Sequence, residues 1–174
     1  SFLVEPVGGG LVYCYADVTT DPAAGAPGGD PLTALAERFA GFAAPVPELL
    51  GRLPEPERIH VAPIEQVAAE RWGKGAVALV GDAAHGMSPN MAQGAALAFE
   101  DALVLAACLA QAGSVAEALA GFVARRHPRA SWVRAQTHRR DRTRRLPPLV
   151  RDPLLRAFGE RIFRSNYRPL LDPA

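Results

Sequence analysis

The sequence is poor in cysteine, with Cys14 and Cys108 as the two examples in 174 residues. Each lies in an apolar run, and neither has a cysteine or histidine neighbour at metal-ligand spacing. This pattern excludes a disulfide-dense secreted scaffold and a zinc finger. We expect two buried free thiols in a reducing compartment, which favours a cytoplasmic protein.

The sequence also lacks an excess of charge, since 19 basic residues face 18 acidic residues. No global field therefore draws the chain toward nucleic acid. The charge is nevertheless uneven: residues 1–70 hold three Arg and ten acidic residues, whereas residues 71–174 hold sixteen basic and eight acidic residues. This asymmetry predicts two structural neighbourhoods.

Uninterrupted apolar runs of membrane-spanning length are missing as well. The longest apolar stretch, Ala95 to Ala112, carries Glu100 and Asp101 side by side. Two adjacent carboxylates are costly in hydrocarbon, so we expect a core helix and no membrane partner. The first residues lack the basic and apolar regions of a signal peptide.

Short strand-type runs begin the chain, at residues 2–7 and 11–18, around three consecutive glycines. A strand rather than a helix follows the glycines, which predicts a hairpin turn and not a phosphate-binding loop. Residues 17–29 predict a surface loop. Asp30 and Pro31 then predict a helix start, with Asp as N-cap and Pro in the first turn.

The remaining pattern predicts an α/β mixture. Residues 59–64 predict an edge strand, and the apolar run 76–80 is typical of a parallel strand buried on both faces. A loop over 81–94 leads to the apolar helix, and Ser114 begins a helix toward Arg126. The later prolines, Pro147-Pro148 and Asp152-Pro153, predict that helical structure is broken there.

Arginine is concentrated in residues 125–145, with nine Arg against one acidic residue, Asp141. A nucleic-acid surface is one interpretation, but Trp132 is the single aromatic residue interleaved with these arginines. We therefore favour a solvated helical face and expect no nucleic-acid partner.

The candidate site lies at Gly81–Gly94, which leaves the carboxyl end of a strand and enters a helix N-terminus. Ligands bind at such positions in open α/β sheets. Asp82 is placed to accept hydrogen bonds from sugar-like hydroxyls, and the uncapped amides at the helix start suit an electron-rich group. The pattern predicts a ligand with hydroxyls at one end and an electron-rich group at the other.

Three other interpretations apply to the same residues. The loop is purely structural if Asp82 caps backbone amides. Asp82, His85 and Ser88 are the residue types of a hydrolytic triad, although three residues spaced by three rarely reach that geometry. His60 with His85 and Asp82 could bind a metal, at an irregular spacing.

A longer set of motif residues runs through this region: Gly81-Asp82-Ala83-Ala84-His85, Pro89, Gln93-Gly94 and Glu100-Asp101-Ala102, flanked by Arg71-Trp72-Gly73-Lys74-Gly75 and Arg125-Arg126-His127-Pro128-Arg129. Together they resemble the "GD" motif of the FAD-dependent aromatic hydroxylases, the single-component flavoprotein monooxygenases typified by para-hydroxybenzoate hydroxylase. The pattern around Ser88-Pro89-Asn90 most resembles the urate-hydroxylase-like and hydroxynicotinate-monooxygenase-like members.

This resemblance implies a cofactor site for FAD. Gly81 and Asp82 would meet the ribityl chain, Pro89 would lie beside the isoalloxazine ring, and the backbone of residues 94–96 (Gly94, Ala95 and Ala96) would face the flavin carbonyl region. It also implies NAD(P)H as reductant, O2, and a small aromatic or heteroaromatic substrate. His85 is expected to be structural, and the resemblance identifies no catalytic residue or metal ligand.

The resemblance implies three segments. Residues 1–70 would be part of a substrate-binding β-sheet domain, 71–113 the strand, GD loop and helix of the FAD-binding domain, and 114–174 a C-terminal helical segment. The family's G-x-G-x-x-G unit is absent from the 174 residues, and Ala92 stands where many members have Gly. We therefore expect the C-terminal part of a monooxygenase, inactive by itself, or alternatively a non-catalytic binding module on that scaffold.

Overall fold

The structure is a computed structural model that describes residues 1–19, 29–53, 59–67, 69–144 and 146–172. It divides into two compact units, Ser1–Pro63 and Ile64–Ala174. Both units mix helices with small sheets, as the sequence predicts. Most of the surface loop predicted at 17–29 lies outside the described residues.

The first unit begins with the predicted hairpin. Strands β1 (Phe2–Gly8) and β2 (Leu11–Ala16) pair antiparallel, from Phe2 opposite Ala16 to Gly8 opposite Leu11. The turn needs glycine, because residues 8, 9 and 10 have φ values of 88°, 60° and 75°. The three glycines therefore form a turn, as predicted.

Two helices complete this unit, α1 (Pro31–Phe39) and α2 (Val46–Leu50). Asp30 is the N-cap of α1, and its carboxylate accepts hydrogen bonds from the amide and hydroxyl of Thr33 at 2.9 and 2.7 Å. The hydroxyl bond, with help from the amide bond, lowers the pKa of Asp30. Phe39 is buried and meets the rings of Phe2 and Phe42 edge-on.

The second unit is mostly helical. Its elements are β3 (Gly73–Lys74), β4 (Val77–Ala78), α3 (Asp82–His85), a 3-10 turn (Pro89–Met91), α4 (Gly94–Gln111), α5 (Val115–Arg144), α6 (Pro148–Tyr167) and a final 3-10 turn (Arg168–Leu170). Helices α4 and α5 pack on each other around one apolar core. The core side chains are Trp72, Ala84, Met91, Leu97, Val104, Phe122, Ala130 and Val133.

Helix α4 has the length and apolar composition that could cross a membrane, which for one helix is weak evidence. Its buried side, with Leu97 and Val104, faces the core shared with α5. Glu100 and Asp101 both form ion pairs with arginines of α5. One side of α4 is therefore packed in the core and tied to α5.

Two predicted strands differ from the structure. Residues 59–64 form no strand, and the run 76–80 contributes only β4, which pairs antiparallel with β3. Val77 is 66% exposed and Val80 is 43% exposed, so the predicted burial on both faces is wrong for the described residues. The reason is that no other strand of the described ranges pairs with β4.

Two predicted helix ends are also wrong. Helix α5 continues past Arg126 to Arg144 and contains Pro128, and α6 contains Pro153. Both prolines are exposed, as are the residues four positions earlier, whose carbonyls lose a hydrogen-bond donor. Water can satisfy those carbonyls, so the prolines are tolerated.

Candidate functional site

The segment after β4 makes two tight turns that depend on glycine. Gly81 has a φ of 56° and a ψ of −140°, a conformation that side chains disfavour. At Gly86 a Cβ atom would lie 2.8 Å from the carbonyl oxygen of Asp82. Gly81 sets the direction in which α3 begins. Gly86 lets the chain pass close to the carbonyl of Asp82 as it leaves α3.

A buried carboxylate fixes the first of these turns. Asp101 on α4 is fully buried and accepts hydrogen bonds from the amide of Gly81 at 2.9 Å and from Arg126 Nε at 2.7 Å. His85 Nε2 lies 2.7 Å from the same carboxylate. One aspartate therefore joins the end of β4, helix α3 and helix α5.

The neighbouring glutamate makes a second, outer ion pair. Glu100 accepts two hydrogen bonds from Arg129, at 2.8 and 2.7 Å, and lies 2.8 Å from Arg126 Nη1. Arg129 also donates to the carbonyls of Pro169 and Leu170. The pair of carboxylates thus links α4 to α5 and to the last turn of the described chain.

Both carboxylates stay ionised in this setting. Burial raises the pKa of Asp101, but the hydrogen bonds from Arg126, the Gly81 amide and His85 outweigh burial and hold that pKa below its ordinary value. Burial likewise raises the pKa of Glu100, and the hydrogen bonds from Arg129 and Arg126 outweigh it. The network beneath the loop is therefore charged and paired.

The outer surface of the loop has the opposite character. The side chain of Asp82 is exposed and forms no hydrogen bond or ion pair with the described residues. A Cβ atom at Gly94 would lie 3.8 Å from Asp82 Oδ1, which places this carboxylate at the N-terminus of α4. An acceptor without a partner thus lies beside the start of a helix.

The amides of that helix start are equally open. The first backbone hydrogen bond of α4 runs from Leu97 to Gln93, and no acceptor in the described chain pairs with the amides of Gly94, Ala95 and Ala96. Gln93 provides no side-chain cap. Carboxylate and free amides together can bind one ligand that carries hydroxyl groups and an electron-rich carbonyl.

The six predicted cofactor residues fall into two groups. Asp82, Pro89, Ala95 and Ala96 are exposed and Gly94 is half-buried, whereas Gly81 is buried and shapes the backbone below them. The structure brings Asp82 and Gly94 together. Pro89 lies at the first position of the following 3-10 turn.

The other interpretations of the loop meet the structure less well. Asp82 caps no helix, His85 binds Asp101 instead of Asp82, and Ser88 bonds with Asn90. The residues of a hydrolytic triad are therefore present but not assembled. No group of three or more potential metal ligands occurs in the described part of the chain.

Ala92 adopts the left-handed conformation, with a φ of 51° and a ψ of 34°. Glycine reaches this region without the steric cost that Cβ imposes. Ala92 therefore adopts the conformation that the turn between Met91 and α4 needs, with some steric strain.

The buried partners of the arginines were not predicted from the sequence. The prediction of a solvated face is wrong for Arg126, which is fully buried, and for Arg129, whose side chain is 14% exposed. The sequence does contain a signal for buried ion pairs. Two adjacent carboxylates interrupt an apolar helix, and a buried carboxylate needs a compensating positive charge.

A groove of about 380 Å³ among the described residues lies elsewhere. Its lining is Gln66, Val67, Ser131, Arg134, Ala135 and His138, which includes none of the predicted site residues. The open amides and the unpartnered carboxylate are the chemically specific feature, so we place the candidate site there and not in the groove.

The geometry places an exposed carboxylate beside free backbone amides at a helix N-terminus, and comparison with known proteins identifies the family of the chain. The sequence profile of the FAD binding domain family matches residues 49–137, and the chain belongs to this family. This confirms the resemblance seen in the sequence.

Individual relatives agree. The chain is 39% identical over 138 residues to the aurachin C monooxygenase/isomerase of Stigmatella aurantiaca, covering 79% of this chain and 36% of that protein. It is 41% identical over 125 residues to the FAD-dependent urate hydroxylase of Klebsiella pneumoniae, covering 70% and 32%. It is 38% identical over 104 residues to the 6-hydroxynicotinate 3-monooxygenase of Pseudomonas fluorescens, covering 59% and 26%.

The fold comparison gives the same result. A crystal structure of a Klebsiella pneumoniae HpxO variant complexed with FAD matches 80% of this chain and 36% of its own, with a TM-score of 0.66 and 30% identity. The predicted α/β flavoprotein fold is thereby confirmed. The chain spans about a third of the length of these relatives.

Proposed function

We propose that this chain is the C-terminal part of an FAD-dependent monooxygenase and contributes the loop and helix start that hold the flavin. The observation that carries the proposal is the exposed, unpartnered Asp82 carboxylate beside the free amides of α4. A carboxylate at a helix N-terminus would repel most anions but suits a ligand that offers hydroxyls to the acid and a carbonyl to the amides.

The residues present fit FAD on these grounds. Asp82 would accept hydrogen bonds from ribityl hydroxyls, and the amides of residues 94–96 would donate to the electron-rich edge of the ring. The α4 dipole would stabilise negative charge at that edge. Pro89, exposed at the preceding turn, would limit the position of the ring. When bound, FAD supplies the redox and oxygen chemistry, and the protein orients it.

The exposed face of α4 supports the view that more of the flavin domain belongs beside this chain. Apart from Gln111 at its C-terminal end, the exposed residues of α4 are apolar: Ala95, Ala96, Phe99, Ala102, Leu103, Ala106, Leu109 and Ala110. Phe99 and Leu103 are 73% and 72% exposed. A continuous exposed apolar face is typical of an interface. We propose that the dinucleotide-binding part of the flavoprotein covers it.

The finer assignments follow from the relatives' chemistry. We propose NAD(P)H as reductant, O2 as co-substrate and a small heteroaromatic ring as substrate, since two of the relatives are named for urate and 6-hydroxynicotinate. We also propose a cytoplasmic location, because both cysteines are free thiols. We further propose that residues 1–70 are part of the substrate-binding β-sheet domain, 71–113 the strand, GD loop and helix of the FAD-binding domain, and 114–174 a C-terminal helical segment.

A non-catalytic binding module on the same scaffold is the second candidate. The two candidates differ in turnover. The test takes the whole protein encoded by the reading frame that contains these residues, adds FAD, and follows NADH or NADPH oxidation and O2 uptake with a panel of heteroaromatic hydroxy compounds.

We expect one substrate to accelerate NAD(P)H oxidation at least tenfold and to yield a hydroxylated product. The 174-residue chain alone should show no turnover. FAD binding without substrate-dependent oxidation across the panel would favour the binding module, and absence of FAD binding by the whole protein would refute both candidates.

A further inference from the structure

The turn that carries Pro89 is held in place from outside. It lies between Ser88 and Ala92, and its own backbone provides one bond in the described structure, from the amide of Ala92 to the carbonyl of Pro89 at 2.8 Å. Because Ala92 pays a steric cost in the left-handed region, the turn depends on contacts with other elements to stay in this shape.

One set of contacts comes from the end of α6. The hydroxyl of Tyr167 donates to the carbonyl of Met91 at 3.3 Å and accepts from Arg140 Nη1 at 2.7 Å. The same guanidinium nitrogen lies 3.6 Å from Met91 Sδ, and the guanidinium carbon lies 5.9 Å from the centre of the Tyr167 ring. Met91 itself is 1% exposed.

A second set comes from the end of α5. The side-chain nitrogen Nδ2 of Asn90 donates to the carboxylate of Asp141 and, at 2.9 Å, to the hydroxyl of Ser88. Arg144 Nη1 donates to Asn90 Oδ1 at 2.5 Å. Both ends of the Asn90 side chain are therefore bound, which fixes its orientation.

These contacts surround the turn on the side that faces the core. Pro89 itself points outward and is exposed, while Ser88 is 4% exposed. The contacts hold the backbone of the turn and leave its outer surface free. They also lie directly before Gly94, where the open amides begin.

We propose that Tyr167 and Arg140, together with Asp141 and Arg144, are positioning residues that set the Pro89 turn and thereby the spacing between Pro89 and the α4 amides. The proposal rests on the function proposed above in assigning flavin to this surface. The central element is the Tyr167 hydroxyl, because it connects α6, α5 and the turn at one atom.

The test replaces that atom alone, in Tyr167→Phe, within the whole protein encoded by this reading frame. Ser165→Ala is the matched control, since it removes a hydroxyl of α6 that donates only to Ile162. A second pair, Arg140→Lys against Arg139→Lys, compares the bridging arginine with its neighbour, which bonds within its own helix. Amide hydrogen exchange of residues 86–93 is measured without FAD, followed by the FAD dissociation constant and the visible flavin spectrum.

We expect Tyr167→Phe to speed exchange of the turn amides by about 3- to 10-fold, the effect of one lost hydrogen bond. The FAD dissociation constant should rise by a similar factor, with a shifted flavin spectrum, whereas both controls match the wild type. Exchange and affinity within 1.5-fold of the wild type in Tyr167→Phe would overturn the proposal. If the wild type binds no FAD, the function fails, while hydrogen exchange still decides the role of Tyr167 in the turn.

Discussion

The buried ion pair between Asp101 and Arg126 gives the sharpest stability prediction. Both side chains are fully buried, and Asp101 is the acceptor for three groups at 2.7 to 2.9 Å. Asp101→Asn keeps the side-chain size but removes the negative charge. Its NH2 group would replace one carboxylate oxygen and would face groups that now donate to that oxygen. Breaking a buried pair in this way costs about 3–5 kcal/mol, because Arg126 is left partly uncompensated.

Urea denaturation followed by circular dichroism measures this loss as a lower midpoint at an unchanged slope. Glu160→Gln is the matched control: its ion pair with Arg164 is about three-quarters exposed on both sides, and such surface pairs contribute about 0–1 kcal/mol. A loss below about 1 kcal/mol for Asp101→Asn would refute the reasoning, since an exposed pair gives as much.

Two further predictions concern the same region. The folded-state pKa values of Asp101 and Glu100 lie below their unfolded values, so their contribution to stability is complete above about pH 5 and is lost as the pH falls through the folded values; acid titration should show this loss, and Asp101→Asn should flatten it. Ala92→Gly should raise the free energy of unfolding by about 0.5–1 kcal/mol, the steric relief less the entropy of glycine. Loss of stability in Ala92→Gly would show that the turn is not strained.

Local signals predicted local structure well. Three glycines at positive φ form the hairpin turn, and Asp30 caps α1 through Thr33 as the Asp-Pro pair indicates. Both features are decided within a few residues of the chain. The position of the candidate site also follows from local signals, because Gly81 and Asp82 lie between strand β4 and helix α4.

Long-range contacts were not predictable from the same patterns. Asp101 binds Arg126 and Gly81, which lie 25 and 20 positions away in the sequence. No local periodicity specifies these partners. Proline at 153 predicted a break, but its exposed position in α6 makes the lost hydrogen bond tolerable. The exposure of Val77 likewise depends on what neighbours β4 and not on its own apolar sequence.

The proposed function requires that Asp82 and the start of α4 hold the flavin. The most direct measurement is an FAD titration of the whole protein, comparing the wild type with Asp82→Ala and with Asp172→Ala, which replaces an exposed aspartate after the final 3-10 turn. Hydrogen bonds to a charged group are worth about 1.5–3 kcal/mol, so Asp82→Ala should weaken binding by about 10- to 100-fold and Asp172→Ala should leave it unchanged. Tight FAD binding that is equal in all three proteins would contradict the account.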